Sequence, residues 1–222
     1  MAHSATVENY LKEIYLQTRQ APSRLLPPGR LAEGMGVAPG TATAMIKALA
    51  DEGLVDYEPR SGLRLTPAGQ RAALDVLRRH RLVELFLVRV LKLDWSEVHA
   101  EAEELEHAIS AKVLDRIDEL LGFPQTDPHG DPIPSAGGKV RDRNRQTLVD
   151  FPLHQPATVA RVTDQNPQFL KLLTSIGLIP GSSLTITTRD GVLDRVSVRV
   201  RGPKAVSDFT LGMSAAAKIE VE

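Results

Sequence analysis

The run GRLAEGMGVAPGTATAMIKALADEGLV, residues 29–55, decides the fold. Gly-containing turns divide it into a short helical piece ending at Gly36 and a longer one from about Pro39 to Glu52, with Gly53 as its stop. Short helix, tight turn, longer helix is a helix-turn-helix pattern. Downstream, in VDYEPRSGLRLTPAG, Val55 and Tyr57, then Leu63 and Leu65, alternate on either side of Pro59-Arg60-Ser61-Gly62, which predicts a β-hairpin. Upstream, in HSATVENYLKEIYLQTRQ (3–20), Val7, Tyr10, Leu11, Ile14 and Tyr15 recur three to four residues apart after Ser/Thr cap candidates. That spacing predicts an amphipathic first helix, separated from the motif by a Pro-rich break at 22–28. Three helices with a trailing, basic-tipped hairpin make a winged helix-turn-helix. Its second motif helix would enter the major groove of DNA, and the hairpin would lie along the backbone or minor groove.

The outward residues near the start of that helix are small: Pro39, Gly40, Thr41, Thr43 and Ala44. Threonine hydroxyls and methyls can meet phosphates or thymine methyls, but no Arg or Gln fork is available there for a bidentate purine contact. Lys47, Arg60 and Arg64 are the basic candidates for phosphate contacts, although surface cations serve solubility as often as binding.

A second chemistry lies in WSEVHAEAEELEHAIS, residues 95–110, which is free of Pro and Gly and reads as one helix. His99, Glu103, Glu106 and His107 sit at i, i+4, i+7 and i+8, so one stripe carries two imidazoles and two carboxylates. Upstream, in RRHRLVELFLV, His80 and Glu84 form another i, i+4 pair of the same types. One such pair is ordinarily a solvated face. Two stretches together favour a divalent cation of hard or borderline character: Mn²⁺, Fe²⁺, Co²⁺ or Zn²⁺. The segment from about 68 to 122 is expected to be helical throughout. LVELFLVRVL is more apolar than one amphipathic face requires, so a dimer interface is expected there.

The 222 residues carry a net charge of −1, so any nucleic-acid binding must come from a local basic patch. With no cysteine, disulfides, thiolate metal sites and cysteine nucleophiles are excluded. No apolar run approaches the roughly 20 residues of a membrane span, and the N-terminus lacks a basic-then-apolar signal. A cytoplasmic protein without a membrane partner is expected.

Between Phe123 and Pro156, Pro, Gly and charged residues dominate, marking an ordered tail and a linker. His129 and His154 fall there and read as plain loop histidines. From 157 onward the period changes to 2 in ATVARV, SLTITTR, RVSVRVR and AKIEVE, with a short helix in PQFLKLLTSIG and a turn at Arg189-Asp190-Gly191. Short strands in such a span predict a small SH3-like barrel. The expected class is mainly α with a small β domain. Its parts are a winged helix-turn-helix over 1–74, a helical metal-binding and dimerisation domain over 75–140, a linker over 141–156 and the barrel over 157–222.

ENYLKEIY, GTATAMIKALADEGLV, RRHRLVELFLV, EVHAEAEELEHAIS and DPHGDPIP together resemble the metal-dependent repressors of the diphtheria toxin repressor type, across essentially the whole chain. The resemblance implies a homodimeric repressor of metal-homeostasis genes, bound to palindromic double-stranded operator DNA, with two metal sites per subunit. It implies a primary site from Asn9, Glu103, Glu106 and His107. It implies a second site from His80, Glu84 and His99, with Gln165 and Gln168 where the third domain supplies ligands. Iron-type members carry Met and Cys where this chain has Asn9 and Glu103, and manganese-type members carry Asp and Glu. Glu103 therefore points to Mn²⁺, with Fe²⁺ next. Asn9 agrees only by half, and Lys12 stands where the manganese type has an acid. Two other readings stay open on the residues alone: a metal-independent winged-helix regulator with a buried polar network, and a His/Glu metalloenzyme.

Overall fold

A computed structural model describes residues 3–20, 25–141, 143–201 and 206–222; positions 21–24 of the Pro-rich break and 142 of the expected linker lie outside the described residues. The chain forms two compact units, residues 1–80 with 134–139, and residues 81–133 with 140–222.

In the first unit, α1 (Ala5–Gln20), α2 (Pro28–Gly34) and α3 (Pro39–Asp51) are followed by the hairpin β1 (Val55–Glu58) and β2 (Gly62–Leu65), then by the start of α4 (Pro67–Arg89). Prolines open α2 and α3 at positions where the missing N–H leaves nothing unsatisfied. The apolar stripe read from the sequence is the buried one: Tyr10, Leu11 and Ile14 of α1, Leu31 of α2, and Ile46 and Leu49 of α3. Val55 pairs with Leu65 and Tyr57 with Leu63 across the hairpin. Leu26 adds a short bridge to Leu63, with both backbone bonds at 2.9 Å. Arg79 of α4 ties back to α1 through Glu8, at 3.0 Å. The Pro134 carbonyl accepts from Arg78 at 2.8 Å. This is a winged helix.

The second unit opens with the end of α4, then α5 (Val98–Leu105) and α6 (Ala111–Leu120). The single helix expected over 95–110 is shorter at both ends. At its start, Asp94 Oδ1 accepts from the backbone N–H of Ser96 at 2.8 Å and holds 94–97 as a turn. At its end, Ser110 accepts from the Val113 N–H and caps a new helix, so Glu106 and His107 fall in the bend between α5 and α6. Two small cores back these helices, Leu82, Leu85, Leu114, Ile117 and Ile133 in one and Val83, Leu87, Val98 and Ala102 in the other.

The β part of this unit comprises β3 (Gln146–Thr147), β4 (Pro156–Val162), α7 (Pro167–Ile176), β5 (Ser183–Asp190), β6 (Arg195–Arg201), β7 (Val206–Gly212), α8 (Met213–Ala216) and β8 (Ile219–Val221). Its antiparallel sheet runs β3-β8-β4-β5-β6-β7 and encloses Val159, Leu170, Ile186, Val198 and Ile219. Strand β3 lies in the stretch expected to be linker, where two residues are too few to show a period. Strand β7 escaped the period-2 reading because it buries only Leu211.

Candidate metal centre

Glu84 sits on α4, fully buried, and is the hub of the second unit's titratable groups. Its Oε1 lies 3.3 Å from His99 Nδ1, and its Oε2 lies 3.8 Å from His129 Nδ1. His99 turns its other nitrogen to Glu103 Oε1, at 3.7 Å. His80 lies one helical turn before Glu84 on the same helix and is also buried. Further along, buried Glu106 faces His107 Nε2 at 3.3 Å. Asn9, half-buried on α1, belongs to the first unit.

His129 is not the plain loop histidine read from the sequence. It has no exposed surface, and Val162 N–H holds its carbonyl at 2.8 Å. The loop that carries it is built by Asp127. Asp127 Oδ1 accepts from the backbone N–H groups of His129 and Asp131, each at 2.9 Å, leaving Oδ2 to face inward. Gly130 closes the loop with φ +88, and a Cβ there would stand 2.1 Å from the Ala160 carbonyl oxygen, so only glycine fits. His129 Nε2 lies 2.8 Å from the Trp95 carbonyl. A carbonyl can only accept, so Nε2 carries the proton and Nδ1 presents a lone pair.

One ligand atom each from Glu84, Asp127 and His129 can be chosen so that all lie within 4.8 Å of one another. Asp127 Oδ2 and His129 Nδ1 are buried with no hydrogen-bond partner among the described residues. Burial first, then the Asp131 and Glu84 carboxylates, push the Asp127 carboxyl up to about 8. Burial opposes charge on His129, but the Glu84 carboxylate 3.8 Å away and the charge of Asp127 outweigh it and raise its pKa. Arg81 Nε, 3.6 Å from Asp127 Oδ2, supplies one positive charge, and a proton or a cation would supply the rest. Two carboxylates and an imidazole fit a hard or borderline divalent ion.

The expected third-domain ligands have other partners in the described residues. Gln165 donates to Asp131 Oδ2 at 3.2 Å, beside Arg81 and Arg161, which also engage Asp131. Gln168 is exposed in the first turn of α7, its backbone N–H capped by Asn166. Asp127 and His129 are candidate ligands that the sequence reading did not include. Their signal was available: an Asp-x-His triplet closed by Gly in DPHGDPIP, two residue types that ligate cations held in a rigid turn.

On the DNA-binding unit, Pro39, Gly40, Thr41, Ala44 and Lys47 are exposed on α3. Thr43 turns its hydroxyl onto the Pro39 carbonyl at 2.8 Å, leaving its methyl as the free contact. Arg60 stands at the hairpin tip with φ 76, and Arg64 donates to Asp56 at 3.2 Å.

A winged helix joined in one chain to a buried carboxylate–imidazole centre defines a metal-responsive DNA-binding regulator. Residues 3–63 match the N-terminal DNA-binding domain of the iron-dependent repressors, 66–135 their metal-binding and dimerisation domain, and 146–222 the FeoA domain. The iron-dependent repressor IdeR of Mycobacterium tuberculosis is 32% identical over 198 residues, covering 84% of this chain and 85% of that protein. A manganese-dependent transcriptional repressor solved in complex with manganese is 41% identical, with a TM-score of 0.87 over 97% of this chain and 98% of that one. ScaR with bound Cd²⁺ is 32% identical, with a TM-score of 0.80 over 97% of this chain and 98% of that one. The chain belongs to the diphtheria toxin repressor family of metal-dependent transcriptional repressors.

Proposed function

We propose that this repressor responds to Mn²⁺, with Fe²⁺ as the nearest competitor, and binds a palindromic operator of metal-homeostasis genes as a cytoplasmic homodimer with two metal sites per subunit. The observation that carries the reading is the donor set. Every candidate ligand is oxygen or nitrogen, in a chain with no cysteine, and such donors lack the thiolate preference for softer ions. A manganese-dependent relative at 41% identity points the same way.

The proposed first set is Asn9, Glu103, Glu106 and His107. The second is Glu84, Asp127 and His129, with His80 and His99 beside Glu84. A bound divalent ion supplies the positive charge on which carboxylates and neutral imidazoles converge. Glu106 and His107 present a carboxylate and an imidazole side by side. The Trp95 carbonyl keeps His129 in its ligand tautomer, and two backbone N–H groups aim Asp127 Oδ2. Metal occupancy selects the DNA-competent dimer. Exposed Leu105, Val113, Leu120 and Phe123 supply an apolar face for dimerisation.

The deciding experiment titrates a palindromic promoter fragment with the full chain in Mn²⁺, in Fe²⁺ without oxygen, and in EDTA. Tighter binding in Mn²⁺ than in EDTA, by about 5- to 150-fold, is expected from one coupled site. Glu106→Ala and His107→Ala should remove that difference while leaving the dimer intact. Equal affinity in EDTA and in metal defeats the reading.

A further inference from the structure

The second unit contains a cavity of about 840 Å³ beside the candidate metal centre, with which it shares Asp127. Its size falls in the range of small-molecule sites. Five cations line it, Arg89 and Lys92 from the end of α4 and beyond, and Arg141, Arg143 and Arg145 at alternate positions before β3. Only three carboxylates share the wall, Asp94, Asp127 and Glu222. All three are already engaged. Asp94 Oδ1 accepts from Ser96 and Asp127 Oδ1 from His129 and Asp131, while Glu222 faces Arg143 at 3.5 Å and Arg145 at 3.7 Å. Among the described residues, Arg89, Lys92 and Arg141 make no ion pair, so their charge is uncompensated.

Apolar residues also line the cavity, among them Leu85, Val88 and Trp95, the chain's single tryptophan. Trp95 is fixed there, because its indole N–H donates to Thr174 at 2.7 Å. Its ring lies 5.5 Å from that of His129, and Asp127 lines both the cavity and the metal centre. Trp95 and Asp127 thus connect the cavity lining to the candidate metal centre.

We propose that this cavity is a regulatory site for a small, multiply charged organic oxyanion, held by Arg89, Lys92 and Arg141 with its carbon body against Trp95. Guanidinium groups pair with phosphate and with carboxylate by the same fork geometry, so both sources satisfy the chemistry. The site is independent of which metal the protein uses.

Trp95 makes the test direct. The full-length, metal-free chain is titrated with pyrophosphate, with citrate, and with sodium chloride at matched ionic strength, following tryptophan emission. A saturable change with pyrophosphate or citrate, absent with sodium chloride, is expected; which of the two binds more tightly identifies phosphate or carboxylate as the source. The Arg89→Ala/Arg141→Ala double variant removes two exposed side chains, and its thermal midpoint should match the parent's. Its affinity should be roughly ten- to a hundred-fold weaker. No saturation with either anion at millimolar concentration overturns the proposal, as does an unchanged affinity in the variant. Saturation with short duplex DNA alone also overturns it, by assigning these arginines to nucleic acid. Because no metal is present, none of these outcomes depends on the manganese reading.

Discussion

On α3, the residues offered to DNA stand in solvent: Pro39, Gly40, Thr41, Ala44 and Lys47 are all exposed. At the candidate metal centre, Glu84 and His129 have no exposed surface and Asp127 only 5%. An exposed cation acts singly, through a screened charge that its neighbours barely feel. A buried ionisable cluster acts as a unit, because each member sets the charge state of the others. Substitutions should therefore cost little and add up on α3. In the cluster they should cost much and refuse to add.

The largest effect is expected at Glu84. Glu84→Ala removes the carboxylate that faces both His99 and His129. Mn²⁺ affinity measured by calorimetry should drop by about a hundredfold, on the scale of losing a metal ligand or its orienting partner. The double variant Glu84→Ala/His129→Ala should bind scarcely worse than either single one. Additive losses would show that the two residues serve separate sites.

Next in size is Gly130→Ala. The new methyl would meet the Ala160 carbonyl at 2.1 Å in a backbone conformation that alanine avoids. The cost should be about 2–4 kcal/mol of folding stability, read from urea unfolding of the metal-free chain. Gly40→Ala on α3, where nothing stands within 4 Å of the new methyl, should leave stability unchanged or slightly higher.

The same contrast explains what the sequence made legible. Helix α3, its Pro39 start and its Gly53 stop were readable because local rules set them: capping, periodicity and turn chemistry. Glu84 and His99 were readable as ligand types because each repeats with an acid or imidazole one turn away. Asp127 and His129 were not, because what brings them to Glu84 is a contact with a helix more than forty residues upstream in the chain. Nothing in local periodicity reports which helix a Pro- and Gly-rich loop will fold against. The partner that Gln165 finds, Asp131, lies in that loop and was hidden for the same reason. The break between α5 and α6 was missed because Ser110 is a tolerable helix residue until it caps the next one.

The buried cluster should also respond to pH in a way that α3 cannot. Asp127 holds its proton up to about 8 in the folded chain, above the 3.8 of an ordinary carboxyl. His129 is shifted in the same direction. A raised folded pKa contributes stability that is fully present below the unfolded value and is lost as pH rises through the folded one. Metal-free protein should therefore lose stability between about pH 4 and 8 on account of Asp127, by at most about tenfold in the folding constant per pH unit. Saturating Mn²⁺ should take the proton's place, so metal-induced stabilisation should grow over the same window. Urea midpoints of the parent and Asp127→Asn, each with and without metal, read this out. A parent midpoint that follows the Asp127→Asn curve at every pH would show that the shared proton is absent.

The smallest effects are expected among the exposed cations, and there the structure separates two that look alike in sequence. Lys47 stands exposed on α3 with no ion pair among the described residues, so its full charge is available to a phosphate. Arg64 already donates to Asp56 at 3.2 Å, across the hairpin from which it projects. A phosphate would have to compete with that carboxylate, and the carboxylate would in turn repel the phosphate. Lys47→Ala should weaken operator binding a few-fold at moderate salt and lower the slope of log affinity against log salt by about one. Arg64→Ala should change the slope by less than Lys47→Ala does. The Asp56→Ala variant, which releases Arg64, should tighten binding and steepen the slope. If Arg64→Ala instead flattens the slope as much as Lys47→Ala, the Asp56 pair gives way on DNA, and both cations count equally as phosphate contacts.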